Sequence, residues 1–474
     1  MPSFRRRALL TLFAVALASC GGGSGSPTLA LGASPPDIVL VVTDDAHLEH
    51  LRFFRATRDA VLNRGLAAVR FRRYYASTPL CSPSRAGILT GRTSRHTGIR
   101  FNMEVPPGTP NGGATAFRQL GLESSTIATW LRAAGYRTCL VGKYLNNYDK
   151  VVPAGSVPEG WDFWRGRMRS HFFDYSVSID GVPTDFGSAE ADYSTDVFRG
   201  FALDAIRSTP AGTPLFLYLA FDAPHLPAPP APRHAALFPG LAAPDTPNHP
   251  ERNRNDKPAW LANRVFTAVE EANADRGHAD GARCMVAVDE AVAAIVAEME
   301  AAGRLDRALF LVVNDNGWCA GSHGWPEKRV AYEESARVFA FAASKDPTLI
   351  ARTHGVDAVV GNVDVAPTLA EIAGAVVPNP IDGVSFASLL RDPGAPDVRP
   401  DLLLECGTED VMIELPSYCG LVNATRKYVE YANGERELYD LAGDPWELRN
   451  LANLPERAAE VAALSARLAE LKAQ

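Results

Sequence analysis

Four short apolar runs each end in residues that a buried core would reject. Residues 37–43 (DIVLVVT) lead into Asp44 and Asp45, and residues 138–141 (TCLV) lead into Gly142 and Lys143. Residues 215–221 (LFLYLAF) lead into Asp222 and His225, and residues 308–313 (ALFLVV) lead into Asn314, Asp315 and Asn316. Asp44, Asp45, Asp315 and Asn316 offer only oxygen ligands, the donor set of calcium or magnesium rather than zinc. A cation next to a lysine and a histidine makes a site for an oxyanion. Each end has a plainer reading when taken alone, since Asp-Asn-Gly forms turns and an aspartate after a strand caps helices. Four such ends in one chain point to a single constellation.

That constellation needs strands whose carboxyl ends share one rim. The continuous β-branched run 37–43 reads as a parallel strand buried on both faces. The other three runs look alike, and helical patterns at 126–134 and 285–302 precede the second and the fourth. Strands alternating with helices predict an α/β fold, a large and mostly parallel mixed sheet flanked by helices. Ligands in such sheets bind beyond the carboxyl ends of the strands. The proline-rich stretch 224–250 reads as a loop over the sheet edge or the site rim. From about residue 393 the texture changes to strand-like pieces (401–405, 427–431) and a terminal helix (456–472), a small C-terminal α+β subdomain.

A fifth feature lies between these ends: Cys81-Ser82-Pro83-Ser84-Arg85, followed by Ala-Gly-Ile-Leu-Thr-Gly-Arg. By its position alone, Cys81 is a thiol at a helix N-terminus, activated by the dipole. The pentapeptide with its downstream LTGR resembles the signature of the formylglycine-dependent sulfatases, a branch of the alkaline phosphatase superfamily. The resemblance runs from Asp37 to about Leu451. It includes Asp44-Asp45, Lys143, the Ala-Pro-His ending in His225, Asp315-Asn316-Gly317, Gly321-Ser-His323-Gly, Lys328 and Tyr332-Glu333-Glu334. Asp364-Val-Ala-Pro-Thr-Leu, Glu437-Leu-Tyr-Asp-Leu and Asp444-Pro extend it.

The resemblance implies an alkaline-phosphatase-like fold and hydrolysis of sulfate esters. Cys81 would be oxidised to formylglycine by a formylglycine-generating enzyme during maturation. One hydroxyl of the hydrated aldehyde would attack sulfur, and the other would then expel sulfate. Asp44, Asp45, Asp315 and Asn316, with residue 81, would hold Ca2+ (or Mg2+). Arg85 would hold the formylglycine, while Lys143, His225 and Lys328 would contact the sulfate and one of them protonate the leaving oxygen.

Many family members carry a histidine two or three residues after the lysine that matches Lys143; here those positions are Leu145 and Asn146. An amide hydrogen-bonds a hydroxyl but takes no proton, which leaves the base for sulfate release open, with His323 as a substitute. The segment Gly142-Lys-Tyr-Leu-Asn-Asn-Tyr148 is nevertheless similar to the N-acetylglucosamine-6-sulfatase branch, which lacks that histidine too. Pro158-Glu-Gly-Trp161 and Tyr175-Ser-Val-Ser-Ile-Asp-Gly181 share that similarity. The implied substrate is a sulfated carbohydrate, as in glycosaminoglycan degradation, or an aryl sulfate, with Asn146 and His323 joining Lys143, His225 and Lys328 in binding it. Trp161, Trp164 and Tyr175 could line a sugar site or belong to the core. Two rivals stand beside this reading: a phosphonate or phosphate ester hydrolase on the same fold, and a lipoprotein that binds sulfated glycans without turning them over.

The N-terminus supplies an address. Arg5-Arg6-Arg7 precedes an apolar stretch at 8–18, too short to span a bilayer and the right length for a signal-peptide core. Leu17-Ala18-Ser19-Cys20 resembles the bacterial lipobox, in which the cysteine is lipidated, and residues 21–36 read as a flexible tether. The arginine run leaves both general and twin-arginine export open. The expected organisation is a lipoprotein signal peptide at 1–20, the tether at 21–36, a catalytic domain at 37–393 and a C-terminal subdomain at 394–474. The expected address is the bacterial cell envelope, with the membrane engaged only through the lipid. Net charge is −8 and no basic stripe exists beyond that arginine run, which excludes duplex nucleic acid as a partner. Of seven cysteines, Cys406 and Cys419 are close enough to pair across a hairpin, and Cys139 reads as core.

Overall fold

The first strand shows why its sequence is apolar from Ile38 to Val42. Ile38, Leu40 and Val42 enter one core layer, Val39 and Val41 the other, and none is exposed. The structure, a computed structural model, describes residues 35–474 apart from 152, 154, 170–171, 379 and 408–414. The signal peptide at 1–20, Cys20 and nearly all of the tether lie outside the described residues.

Ten strands form the large sheet: β1 (Asp37–Thr43), β2 (Ala67–Tyr75), β3 (Arg137–Gly142), β4 (Phe163–Arg167), β5 (Tyr175–Ile179), β6 (Val182–Phe186), β7 (Leu215–Ala220), β8 (Ala308–Asn314), β9 (Arg337–Ser344) and β10 (His354–Gly361). Their order is β10-β2-β9-β8-β1-β7-β3-β4-β5-β6. The centre is parallel: β8, β1, β7, β3 and β4 run the same way. β9 is antiparallel to both neighbours, and β5 and β6 form an antiparallel hairpin edge. The helices Cys81–Thr90, Ile127–Ala133 and Val365–Ala373 cover one face; Arg55–Asn63, Ser194–Ser208 and the 34-residue Ala268–Ala301 cover the other. Parallel strands buried on both faces are the arrangement expected of such crossovers.

A second sheet of four antiparallel strands follows: β11 (Asp401–Cys406), β12 (Tyr418–Asn423), β13 (Arg426–Tyr431) and β14 (Arg436–Asp440). Alternation again divides its side chains. Leu402 and Leu404 pack with Tyr75, Tyr332 and Val363, while Leu403 packs with Val461 and Leu468 of the terminal helix Ala458–Ala473. The hairpin register overturns a Cys406–Cys419 disulfide. Cys406 faces Tyr418 and Cys419 faces Glu405, so the thiols lie one residue out of register on opposite faces. Both are free, as are Cys81, Cys139, Cys284 and Cys319. Trp161, Trp164 and Tyr175 are buried members of the two core layers, not lining of an open sugar site.

Candidate active site at the carboxyl ends of the strands

The parallel strands deliver their polar ends to one place. Asp44 follows β1, and Asp45 takes a left-handed φ of 61° that turns its carboxylate back towards β8. Asn314 holds the two ends together. Its Oδ1 accepts from Thr43 Oγ1 (3.1 Å) and Ala46 N (3.2 Å), and its Nδ2 donates to Ala46 O and Asn316 O (2.7 Å each). Gly142, with φ of 96°, lets the chain turn into Lys143, because a Cβ there would meet Ala220 O at 1.9 Å.

Cys81 begins a helix whose ten residues are all buried, with Pro83 in the first turn and Gly91 closing it in the left-handed conformation. Its thiol donates to Asp44 Oδ1 at 3.4 Å, and Lys328 Nζ lies 2.9 Å from Sγ and 2.5 Å from Asp45 Oδ1. One turn on, Arg85 has no exposure. Its Nε donates to Asp315 Oδ2 (2.8 Å) and its Nη1 to Lys143 O (2.8 Å). Lys143 Nζ bonds Asp44 Oδ2. His225 Nε2 lies 3.4 Å from Asp45 Oδ2, with 37% of the side chain exposed. Ligand atoms of Asp44, Asp45, Cys81 and His225 lie within 4.8 Å of one another. Asn316 Nδ2 donates to Asp45 Oδ1 at 2.6 Å, while its own Oδ1 is buried without a hydrogen-bond partner among the described residues.

The charges are strongly coupled. Burial opposes ionisation of Asp44, but Lys143, His225, Arg85 and Lys328 hold its carboxyl well below the usual range. Asp315 is pushed up to about 6 by burial and by Asp44, against Arg85. Loss of bulk water opposes the charge on His225, yet Asp45 and Asp44 raise it to about 9. Burial likewise opposes the charge of Lys328, and Asp45 outweighs it, so the ammonium is retained.

Asp44, Asp45, Cys81, Arg85, Lys143, His225, Asp315, Asn316 and Lys328 therefore come together. Asn146 sits at the helix start, bonded to Ser82 through its Oδ1 (2.8 Å) and its backbone N (3.1 Å). His323 belongs to a different cluster. Fully buried, it has Nδ1 2.7 Å from Glu251 Oε2 and Nε2 3.1 Å from Asn248 Nδ2, and its ring stacks on Tyr332 at 4.0 Å. Burial lowers its pKa to about 3, so it is neutral. Glu251 and Asn248 come from the proline-rich loop and its end. Asn314 stands among the polar strand ends in the sequence, but nothing there shows its clamping role, and nothing marks Asn362, whose Nδ2 donates to Ser84 Oγ (2.8 Å) and Asp315 O (2.9 Å). Arg167, paired with Asp222 at 2.8 Å, also lacks a local signal in the sequence.

A family profile described as Sulfatase matches residues 36–375, and a second, N-sulphoglucosamine sulphohydrolase C-terminal, matches residues 321–474. The N-acetylglucosamine-6-sulfatase of Homo sapiens is 29% identical over 411 residues, 83% of this chain and 71% of that protein. A solved structure described as in complex with its substrate D-glucosamine-2-N,6-O-disulfate shares the fold. Its TM-score is 0.77 at 23% identity, over 92% of this chain and 97% of that one. The phosphonate monoester hydrolase of Agrobacterium radiobacter shares it at a TM-score of 0.73 and 18% identity, over 93% and 96% of the chains. With the profile covering most of its length, the chain belongs to the sulfatase family, the hydrolases of sulfuric esters.

Proposed function

We propose that this enzyme removes sulfate from a sulfated carbohydrate of the N-acetylglucosamine-6-sulfate type, with residue 81, as formylglycine, at the reacting centre. One observation carries the reading: the Cys81 thiol is enclosed by Asp44, Lys328 and His225 within one hydrogen-bonded cluster. The similarity to the human N-acetylglucosamine-6-sulfatase supports the sugar.

The residues fit a hard cation. Asp44, Asp45, Asp315 and Asn316 supply oxygens only, and the orphaned Asn316 Oδ1 is a buried acceptor with no hydrogen-bond donor of its own. A calcium or magnesium ion bound there supplies positive charge to a sulfate oxygen and acidifies an oxygen nucleophile. Formylglycine supplies, as its hydrate, two hydroxyls on one carbon.

The chain's own groups do the remaining work. Arg85, bonded to Asp315 and to the Lys143 carbonyl, fixes the helix that carries residue 81. Lys143 and Lys328 hold the sulfate oxygens, each already anchored to an aspartate. His225 Nε2 carries the proton for the leaving oxygen. Asn146 accepts from Ser82 and keeps the first turn of the helix in place. The exported, lipid-anchored address at Cys20 is part of the same proposal.

The test is sulfate release from N-acetylglucosamine-6-sulfate and from an aryl sulfate, with an aryl phosphonate alongside. Preference for the sulfates is expected. Faster turnover of the phosphonate would favour the rival hydrolase, and binding without release would favour the non-catalytic lipoprotein.

A further inference from the structure

The carboxyl ends of β4 and β7 flank a cavity of about 270 Å³ beside the reacting cluster. Phe172, Phe173, Leu226, Pro227 and Pro229 form its walls, and Asp222 and His225 complete it. β3, which leads into Lys143, runs between those two strands in the sheet. The cavity is therefore next to the atoms proposed to hold sulfate. His225 belongs to both places: Nδ1 donates to Leu226 O at 2.7 Å, and Nε2 faces Asp45.

Asp222 and His225 are the polar features of this mainly apolar space. The Asp222 side chain is 5% exposed. Oδ1 is paired with Arg167 Nε at 2.8 Å, whereas Oδ2 is buried and has no hydrogen-bond partner among the described residues. A buried acceptor left unpaired costs free energy unless a donor arrives with a ligand. Two phenylalanines and two prolines offer flat apolar surface, which suits the C–H face of a pyranose. The Asp222 carboxylate in the lining disfavours a second sulfate there and favours a neutral ring.

The geometry points to this cavity as the subsite for a saccharide ring of the substrate, with Asp222 Oδ2 accepting from a ring hydroxyl and Phe172 and Phe173 packing on its face. The inference rests on the sulfatase reading above and adds the residues that choose the sugar. A hydrogen bond to a charged group contributes about tenfold or more in discrimination against a substrate lacking it.

The experiment compares kcat/KM for N-acetylglucosamine-6-sulfate with kcat/KM for methyl sulfate, an ester with no ring, in the mature enzyme. In Asp222→Asn the ratio of the two falls about tenfold. Phe173→Ala, which leaves the Arg167 ion pair alone, lowers the same ratio and guards against a folding defect in the first variant. An unchanged ratio in both variants overturns the subsite while leaving the sulfatase reading intact. A wild-type enzyme that releases sulfate from neither ester overturns both. A fall in the ratio accompanied by tighter use of a sugar sulfated at two positions would also contradict it.

Discussion

Arg85 Nε and Asp315 Oδ2 lie 2.8 Å apart with neither side chain exposed, joining the helix that starts at Cys81 to the end of β8. Removing one partner of such a pair leaves an uncompensated buried charge, a loss of about 3–5 kcal/mol. Arg85→Leu is therefore expected to lower the unfolding free energy by that amount, read as a lower denaturant midpoint at an unchanged slope. A loss below about 1 kcal/mol would show that Asp315 finds another partner.

Cys81 contributes chemistry more than packing, since its buried thiol is small and its neighbours are charged. Cys81→Ala should abolish sulfate release and leave the melting temperature within a few degrees of wild type. Wild-type turnover in this variant would remove residue 81 from the mechanism.

In the proposed cation site, Asp315 and Asn316 would carry the β8 half of the oxygen set. Calcium titrated into chelator-stripped protein should bind Asp315→Ala at least about tenfold more weakly than wild type. Equal affinity would exclude Asp315 from the cation site.

A pH dependence follows from a histidine cluster away from the reacting atoms. His278 stacks on His50 at 4.7 Å and meets His47 at 5.2 Å, and neither of its ring nitrogens has a hydrogen-bond partner among the described residues. Burial first, then Arg52 and His249, lower its pKa from 6.5 to about 4. Between these values the unfolded chain binds the extra proton, so stability present above pH 6.5 is lost as pH falls through the window. The group accounts for about 3 kcal/mol across the whole window. In His278→Gln the stability curve between pH 4 and 6.5 should be flatter by about one proton, and parallel curves for the two proteins would contradict this.

Cys406 and Cys419 should both be alkylated in the unfolded, unreduced protein, because the β11–β12 register turns them to opposite faces. Protection of the pair would mean a different register.

Much of the site was legible because polar residues directly after apolar runs violate core chemistry. Asp44, Lys143, His225 and Asp315 all follow that rule, and the strands before them are found within a residue or two of their predicted ends. Other parts were hidden for physical reasons. β2 carries Arg70, Arg72 and Arg73 among its apolar residues and contains a register shift, so its alternation is broken. His323 looked like a site residue because its Gly-Ser-His-Gly context matches the family. Its partners, Glu251 and Asn248, are more than 70 residues away, and no local pattern reveals them. Asn314 is one polar strand end among several and Asn362 stands in no motif, so their roles as clamps appear only once β1, β8 and the Cys81 helix are side by side.

The most direct test is the mass of the tryptic peptide spanning residues 74–85 (YYASTPLCSPSR), from protein made in its native host. Conversion of the Cys81 thiol to an aldehyde lowers that mass by about 18 Da, and this shift is the predicted result. A peptide that retains the full cysteine mass, in protein that still releases sulfate, would contradict the mechanism proposed for residue 81.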